Sequence, residues 1–363
     1  MFFSNQRHAL IFGLALVCSM ATAPAMAWDE EGHITVAHLA AVKLPDTMPD
    51  WVRTPEVRSR LEYLSSEPDR WRGQHSIFVD HYNNPDHYMD EEQLHVFDLT
   101  FKTLPPLERQ LLDRMAAERA LHPDKFKPYD PKEDPAYTNL VPGLLPYRIS
   151  QLQWLIAADW TTLKTYEKHP DQVTSEMVRN ARENIVYNMG IISHLVGDGA
   201  QPLHVTQHHH GWVGPNPKGY TTEKGFHSFI DGGVISLHHI TPESLAERAR
   251  PPRKTAKEDS WKVIGDYLDE TYQQVEPLYE LEKSGELKKE PGKKFIEDRL
   301  LDGGAMLAGV WVAAYEAGTI DEYREKQLAA KAHGPQTTQA EKPAQTPAEK
   351  PAEKKSEEPV EKK

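Results

Sequence analysis

Two stretches of sequence predict both the helical fold of this chain and a metal site within it: HLVGDGAQPLHV (residues 194–205) and GFHSFID (residues 225–231). Each contains a histidine and an aspartate four residues apart, a spacing that places both side chains on one face of a helix. The two pairs are His194 with Asp198 and His227 with Asp231. Imidazole nitrogens and carboxylate oxygens are donors that zinc accepts readily. These stretches therefore predict helices whose side chains meet at a metal site.

His204 adds a third histidine to this site. It follows Pro202, where the first helix is expected to end, so the chain can turn back toward the same point. A single His–Asp pair at this spacing is usually a solvated helix face. Two pairs with a third histidine, set among apolar residues, favour metal binding instead. We interpret the rest of the chain as a scaffold for this cluster.

The first 27 residues are typical of a secretory signal. Arg7 precedes an apolar core at residues 9–17, and small residues end at Ala27, after which cleavage would make Trp28 the mature N-terminus. The apolar core is shorter than the roughly 20 residues of a membrane-spanning helix, and no later segment approaches that length. We therefore predict a periplasmic or secreted protein without a membrane span, with an uncleaved N-terminal anchor as the alternative.

The only cysteine, Cys18, lies within this predicted signal. The mature chain would have neither thiol nor disulfide, so any zinc site must use histidine and carboxylate ligands. Such ligands are more typical of catalytic than of structural zinc sites, which are usually rich in cysteine.

Helical periodicity dominates the remaining sequence, and no convincing strand pattern or internal repeat is present. We predict an all-α fold, a single mainly helical domain over residues 28–330. The predicted helices span residues 34–44, 105–121, 146–168, 173–196, 260–283 and 293–317. The second has prolines at its first positions, and the third carries one apolar stripe of Ile149, Leu152, Leu155, Ile156 and Leu163. Residues 331–363, with repeated AEKP and EKK units, are predicted to be a disordered tail.

The segment of residues 51–98 is polar and rich in proline, asparagine and aspartate, which predicts loops and short helical turns. Its side chains Asp69, His75, His81 and His87 are all candidates for joining the metal cluster, because loops often carry site residues. These patterns by themselves do not choose among the four.

The predicted mature N-terminus adds further metal ligands. The free α-amino group and carbonyl of Trp28, together with the imidazole of His33, would make a chelate. His38, on the next turn of the helix, is predicted to pack or to lie at the surface. The three histidines at residues 208–210 are predicted to be loop residues, since adjacent histidines cannot all face one ion.

These ligands outnumber the roughly four donors of one tetrahedral zinc ion, so two or three ions fit better. Sites with two ions about 3.5–4 Å apart typically cleave phosphate esters, because the metals generate hydroxide at neutral pH and hold the attacking and leaving oxygens. The formal net charge of −13 gives no basic footprint for tight duplex binding. Bound divalent cations would offset that charge where an anionic substrate approaches.

The same motifs resemble those of the trinuclear-zinc superfamily of single-strand-specific nucleases and bacterial phospholipases C. The resemblance rests on W-x4-H at the predicted mature N-terminus, HLVGD-x-x-QPLHV and GFHSFID, and it covers most of residues 28–318. It implies an all-α domain with three zinc ions in a cleft. The implied ligands are Asp69, His87, His194 and Asp198 for the first ion; His204, His227 and Asp231 for the second; and Trp28, His33 and the bridging Asp198 for the third.

Two of these placements rest on shorter matches. Asp69 in SSEPDRWR matches by position and by its flanking aromatic residue, and we assign it to orient or deprotonate the attacking water. His87 in PDHYMD matches a histidine followed by an aromatic residue and an aspartate. We favour His87 over His81 in DHYNN, which remains an alternative.

The W-x4-H spacing and an aspartate, rather than a glutamate, at position 231 look more like the nuclease branch. We expect a monomeric endonuclease acting on single-stranded DNA and RNA; the sequence leaves open whether it also removes a terminal 3′-phosphate. Candidate platforms for an unpaired base are Tyr88, Trp212, Tyr220 and Phe226, although packing is the commoner role for each. The alternatives are a phospholipase C acting on phosphatidylcholine-like lipids and a non-catalytic secreted zinc-binding protein.

Overall fold

The structure is a computed structural model of the chain that describes residues 28–255 and 259–332. The predicted signal at residues 1–27 and the predicted tail after residue 332 lie outside these ranges. The predicted start of the tail at residue 331 falls inside a helix that continues to Ala332. None of the described helices combines the length and the apolar character that crossing a bilayer requires.

Fifteen α-helical segments account for most of the described residues. They are α1 (Glu30–Ala41), α2 (Pro55–Leu64), α3 (Glu67–Arg72), α4 (Ile77–Asn83), α5 (Glu91–His95), α6 (Glu108–Leu121), α7 (Leu145–Lys168), α8 (Ser175–Ala200), α9 (Phe226–Ser228), α10 (Val234–His238), α11 (Pro242–Ala246), α12 (Ser260–Tyr272), α13 (Val275–Lys283), α14 (Glu290–Ala317) and α15 (Glu322–Ala332). Residues 28–255 and 259–332 contain no strand, only one antiparallel bridge between Met89 and Gly143. The prediction of a single, mainly all-α domain is confirmed.

Helix α8 runs through the centre of the fold and packs against α1, α2, α7, α12 and α14. From Met189 to Ala200 every residue of this helix is buried. The packing depends on small residues. A Cβ added to Gly190 would lie 2.3 Å from Cβ of Leu64, so glycine is needed for α2 to approach this closely. The His–Asp pair of α8 is therefore carried by an element that its neighbours hold on all sides.

Local sequence signals set the two ends of α8. The Thr174 hydroxyl accepts a hydrogen bond from the backbone N–H of Met177 (3.2 Å), which caps the helix and makes Ser175 its first residue. Pro202 has no N–H with which to continue the helix past Ala200. The helix therefore ends at Ala200 and not at residue 196 as predicted, so it includes Asp198, the second member of its His–Asp pair.

Two details of the helix predictions are wrong near α6 and α7. Helix α6 begins at Glu108, so the prolines at residues 105 and 106 precede it instead of forming its first turn. Leu155 is 49% exposed and does not belong to the buried stripe of α7. At about 100° per residue, Leu155 lies about 90° away from the line of the other four apolar residues, which are buried.

The predicted helix over residues 260–283 is also wrong, because α12 ends at Tyr272 and α13 begins at Val275. Pro277 explains the break. It has no N–H to donate to the carbonyl of Gln273, and its ring would clash with that carbonyl in a continuous helix.

Candidate metal centre

Side chains from six parts of the chain meet at one buried point beside the C-terminal end of α8. They are the five histidines and three aspartates predicted as ligands: His33, His87, His194, His204, His227, Asp69, Asp198 and Asp231. Three groups form, namely His33–Asp69–His194, His87–His194–Asp198 and His204–His227–Asp231, and within each group the ligand atoms lie within 4.8 Å of one another. These buried groups could hold metal ions.

His194 is held in the orientation that a metal ligand needs. Its Nδ1 lies 2.8 Å from the backbone carbonyl oxygen of Ser65, which can only accept a hydrogen bond, so Nδ1 carries the proton. In the neutral ring the lone pair is then on Nε2, which faces Asp198 Oδ2 at 3.4 Å. A carbonyl partner on the outer nitrogen commonly orients metal-binding histidines in proteins.

His87 lies opposite His194, at the end of the short 3-10 turn Asn84–His87. Its Nδ1 is 2.9 Å from His194 Nε2 and 3.2 Å from Asp198 Oδ2. The alternative ligand, His81, is exposed, and its Nδ1 bonds to the backbone carbonyl oxygen of residue 136 at 2.7 Å. The fold therefore brings His87 to the cluster and leaves His81 at the surface.

Asp198 lies between histidines on two sides. Its Oδ1 is 3.5 Å from His33 Nε2, while its Oδ2 faces His87 and His194. Within the described part of the chain, neither oxygen has a hydrogen-bond donor, and neither ring nitrogen of His33 has a hydrogen-bond partner. A buried carboxylate without partners is costly, and cations bound here would remove that cost. The mixed imidazole and carboxylate donors fit zinc.

Gly197 makes room for the predicted N-terminal ligands. A Cβ at this position would lie 2.9 Å from His33 Nδ1, and the His33 ring stacks on that of His194 with centroids 3.8 Å apart. The indole Nε1 of Trp28 donates to the carbonyl oxygen of Gly197 at 2.9 Å, and the Trp28 side chain is buried. Trp28 thus lies close to His33, while metal binding by its α-amino group and carbonyl stays a prediction.

The second His–Asp pair lies where α9 passes into the π-helical turn Phe229–Gly233. His227 Nε2 is 3.5 Å from Asp231 Oδ2 and 3.0 Å from His204 Nε2. His204 donates from Nδ1 to a backbone carbonyl oxygen (2.7 Å), which leaves its Nε2 lone pair facing this group. Gln201 donates to the other oxygen of Asp231 at 2.7 Å. Single π-helical turns are rare and frequently occur at functional sites.

Asp69 lies at the edge of the cluster, on α3. Its Oδ1 is 3.9 Å from both His87 Nδ1 and His194 Nε2. Arg72, one turn later, approaches the same oxygen at 3.3 Å. Asp69 is 7% exposed, whereas Asp198 is fully buried. This position lets one carboxylate contact both the cluster and the space outside it.

Burial sets the protonation of the cluster. It lowers the pKa of all five histidines below their usual range, that of His204 to about 3. Neutral imidazole is the form that binds metal ions. Burial, reinforced by nearby carboxylates, raises the pKa of Asp198 and of Asp231 well above the usual range. Ionised carboxylates at this point therefore need cations beside them.

A cleft of about 380 Å³ leads to the cluster. His87, His204 and His227 lie in its wall, so two of the three candidate metal groups are accessible from outside. Most of the other residues of the wall are polar, among them Arg72, Asn84, Thr138, Asn139, His209 and His210. The arrangement is an open site, in which a bound molecule can reach the ligands.

Most residues of this wall are not predicted by the sequence patterns. Arg72 could have been found, because it lies one turn after Asp69 and hence on the same side of α3. No pattern in the sequence indicated that Asn139 would lie in the cleft. Its loop is held by the buried Asp134 carboxylate, which accepts hydrogen bonds from the backbone N–H groups of Thr138 and Asn139, both at 2.9 Å. Only the folded chain brings that loop to the cleft.

The remaining histidine candidates are not members of the three metal groups. His38 bonds to Glu62 at 2.8 Å, as expected for a packing or surface residue, and His75 is exposed. His208 stacks on Trp212 with ring centroids 3.8 Å apart. Its two neighbours at residues 209–210 line the cleft, where they can contact a bound molecule.

One of the four candidate aromatic platforms lies in the cleft. Tyr88 forms part of its wall. Trp212, Tyr220 and Phe226 instead pack around the buried ring of Tyr279, with centroids 4.9 to 5.3 Å from it. A stacking role in the cleft is therefore open to Tyr88 and not to the other three.

No known protein family, curated protein or solved structure matches this chain in comparisons of sequence and fold. The class of this protein therefore has to be described from its own fold and its own candidate site. It is a mainly all-α domain whose buried histidines and aspartates could hold metal ions.

Proposed function

We propose that this chain is a zinc-dependent phosphodiesterase that acts as an endonuclease on single-stranded DNA and RNA. The observation that carries the proposal is the buried cluster of eight histidine and aspartate side chains beside a polar cleft. Several ions close together, reached from an open cleft, are the arrangement that phosphate-ester cleavage uses. A metal that only stabilises a fold has no need of such access.

Three zinc ions are the proposed content. Asp69, His87, His194 and Asp198 would hold the first, and His204, His227 and Asp231 the second. His33 and Asp198, with Trp28 if it is the mature N-terminus, would hold the third. When bound, such ions acidify water and polarise phosphoryl oxygens.

The chain's own residues would then bind and orient the substrate. Asp69 lies at the edge of the cluster and keeps a small exposed surface, so its carboxylate can orient a water molecule and accept its proton. Arg72 lines the cleft while it contacts Asp69. A guanidinium carries five N–H donors, which suits simultaneous contact with this carboxylate and with a phosphate oxygen.

The polar wall supports a nucleic acid over a lipid. Asn84, Thr138 and Asn139 present amide and hydroxyl groups to the cleft, and such groups bond to the phosphate and sugar oxygens of a nucleic acid. Tyr88 supplies an aromatic face on which an unpaired base could stack, and stacking tolerates any base. An extended double strand has no base free for such a contact.

The test is turnover by the purified protein together with its metal content. The substrates are single-stranded DNA, single-stranded RNA, duplex DNA and phosphatidylcholine, each with and without a chelator. We expect nucleotide release from both single strands, little from the duplex, loss with chelator and recovery on adding zinc. Diacylglycerol release would replace the proposal by a phospholipase C. Bound zinc without turnover of any substrate would replace it by a metal-binding protein.

A matched pair of variants isolates the role of Asp69. Asp69→Asn should lower kcat by about 10²- to 10⁴-fold, the usual contribution of a general base. Asp124→Asn is the control, because Asp124 is an exposed carboxylate outside the cluster. Equal activity of the two variants would remove Asp69 from the mechanism.

A further inference from the structure

Helix α4 carries an exposed apolar face next to the cleft. Ile77, Phe78, His81 and Tyr82 are exposed, and their spacing places all four on one side of the helix. Phe78 is 80% exposed, which is the largest exposed fraction among the exposed large apolar side chains of the described residues. Large apolar side chains grouped on one face commonly mark a binding surface.

The position of α4 ties this face to the cleft. The helix connects Arg72 with Asn84, and both of those residues lie in the cleft wall. On the same helix, His81 bonds through Nδ1 to the carbonyl oxygen of Ala136, two residues before Thr138 of the wall. The α4 face therefore lies near two segments that form the wall of the cleft.

Arginine side chains lie beside aromatic rings on α4 and on the neighbouring helices. The guanidinium of Arg148 lies 5.4 Å from the ring centre of Tyr82, and that of Arg70 lies 4.1 Å from the ring centre of Tyr63. Between α3 and α4 is a hollow of about 700 Å³ lined by Arg70, Trp71, Val79 and Tyr82. Aromatic faces with arginines beside them are the surface that proteins offer to unpaired bases and their phosphates.

We propose that the α4 face and this hollow bind the nucleotides of a single-stranded substrate that continue beyond the cleft. The inference rests on the proposed nuclease function and extends it to a second, non-catalytic subsite. A membrane is the less favoured occupant, because the helix has only seven residues and carries Asp80 and His81 among its apolar side chains. Interfacial helices that bind bilayers present a larger apolar face and a basic polar face.

The test compares a dinucleotide, which the cleft can hold, with a 12-residue oligonucleotide of repeating sequence. Phe78→Ala should lower kcat/KM on the oligonucleotide at least about fivefold, mainly through KM, since one lost base stack is worth that much or more. It should leave the dinucleotide unchanged, and Phe78→Trp should keep the wild-type preference. Tyr323→Ala is the control, because Tyr323 is 71% exposed on α15.

Three results would overturn the inference. They are equal losses on both substrates, no loss on either, and Phe78-dependent binding of the protein to phosphatidylcholine–phosphatidylglycerol vesicles. Failure of the proposed function looks different, since the wild-type protein would then cleave neither substrate. In that case fluorescence anisotropy of a labelled oligonucleotide decides: binding that Phe78→Ala weakens supports the subsite, and binding that it leaves unchanged rejects it.

Discussion

The two His–Asp pairs have the same spacing in sequence and different surroundings in the fold. His194 and Asp198 lie on the regular helix α8 at the centre of the molecule. His227 and Asp231 lie across the junction of α9 and a π-helical turn. Gln201 donates to one oxygen of Asp231, whereas neither oxygen of Asp198 has a donor among the described residues.

This difference shows that two His–Asp pairs with the same spacing in sequence can be suited to different roles in a metal site. Asp198 turns one oxygen toward His33 and the other toward His87 and His194, so it can serve two ions. Asp231 has one oxygen occupied by an amide and the other near His227, so it can serve one. The carboxylate of the first pair could therefore bridge two ions, whereas that of the second could bind one.

The largest effects should come from neutralising the two aspartates. Asp198→Asn should lose at least two of the three proposed zinc ions, because the first and third ions share this carboxylate, and activity should fall at least about 10³-fold. Asp231→Asn should lose one ion. Elemental analysis of the purified variants measures both. Equal metal loss would contradict the bridging role.

In the absence of metal, Asp198→Asn should stabilise the fold. Burial of Asp198 without a partner disfavours its ionised form, so in chelator-treated protein Asp198→Asn should raise the melting temperature by a few degrees. In zinc-loaded protein the same variant should lower it, because bound metal stabilises the folded state. A lower melting temperature in both conditions would mean that Asp198 is partnered by other means.

A smaller effect should follow from filling the space beside His33. Gly197→Ala places a methyl group 2.9 Å from His33 Nδ1, and the ring cannot easily yield because it stacks on His194. We expect weaker binding of the ion shared by His33 and Asp198, by about 10- to 100-fold, with the His204 group intact. Zinc titration should show one weakened site. The control, Gly214→Ala, meets no atom within 4 Å, although its positive φ (76°) adds some local strain.

Removing the amide that holds Asp231 should affect only the second pair. Gln201→Ala should weaken one ion by about 10-fold, in line with other changes to groups that orient a ligand. Gln201 also accepts a hydrogen bond from the backbone N–H of Leu203 at 2.6 Å, so the turn that carries His204 should loosen too. Gln201→Glu separates the two roles, because a carboxylate keeps the acceptor and loses the amide donor.

The smallest effect should come from the cleft wall, outside both pairs. Asp134→Asn weakens the three hydrogen bonds that its carboxylate accepts from Thr138 and Asn139. KM for an oligonucleotide should rise a few-fold while zinc content and kcat stay close to wild type. A fall in zinc content would show that this loop supports the cluster itself.

Much of the architecture could be predicted from the sequence because its signals are local. Apolar periodicity predicted the main helices, and Pro202 predicted the turn that returns His204 to the site. The predictions that were wrong also have physical reasons. Pro277 breaks a stretch whose periodicity continues across it, and Leu155 has the right polarity on the wrong side of α7. A hydrophobic pattern does not report either backbone donors or the width of the buried face.

The sequence by itself determined the ligand types, the helical frame and the spacing of the two His–Asp pairs, since each depends on residues a few positions apart. Tertiary structure alone decided that His87 and not His81 meets the cluster, and that Asp198 faces histidines on both sides. It also brought the loop around Asn139 to the cleft. These outcomes depend on contacts between segments far apart in the chain, which local patterns do not encode.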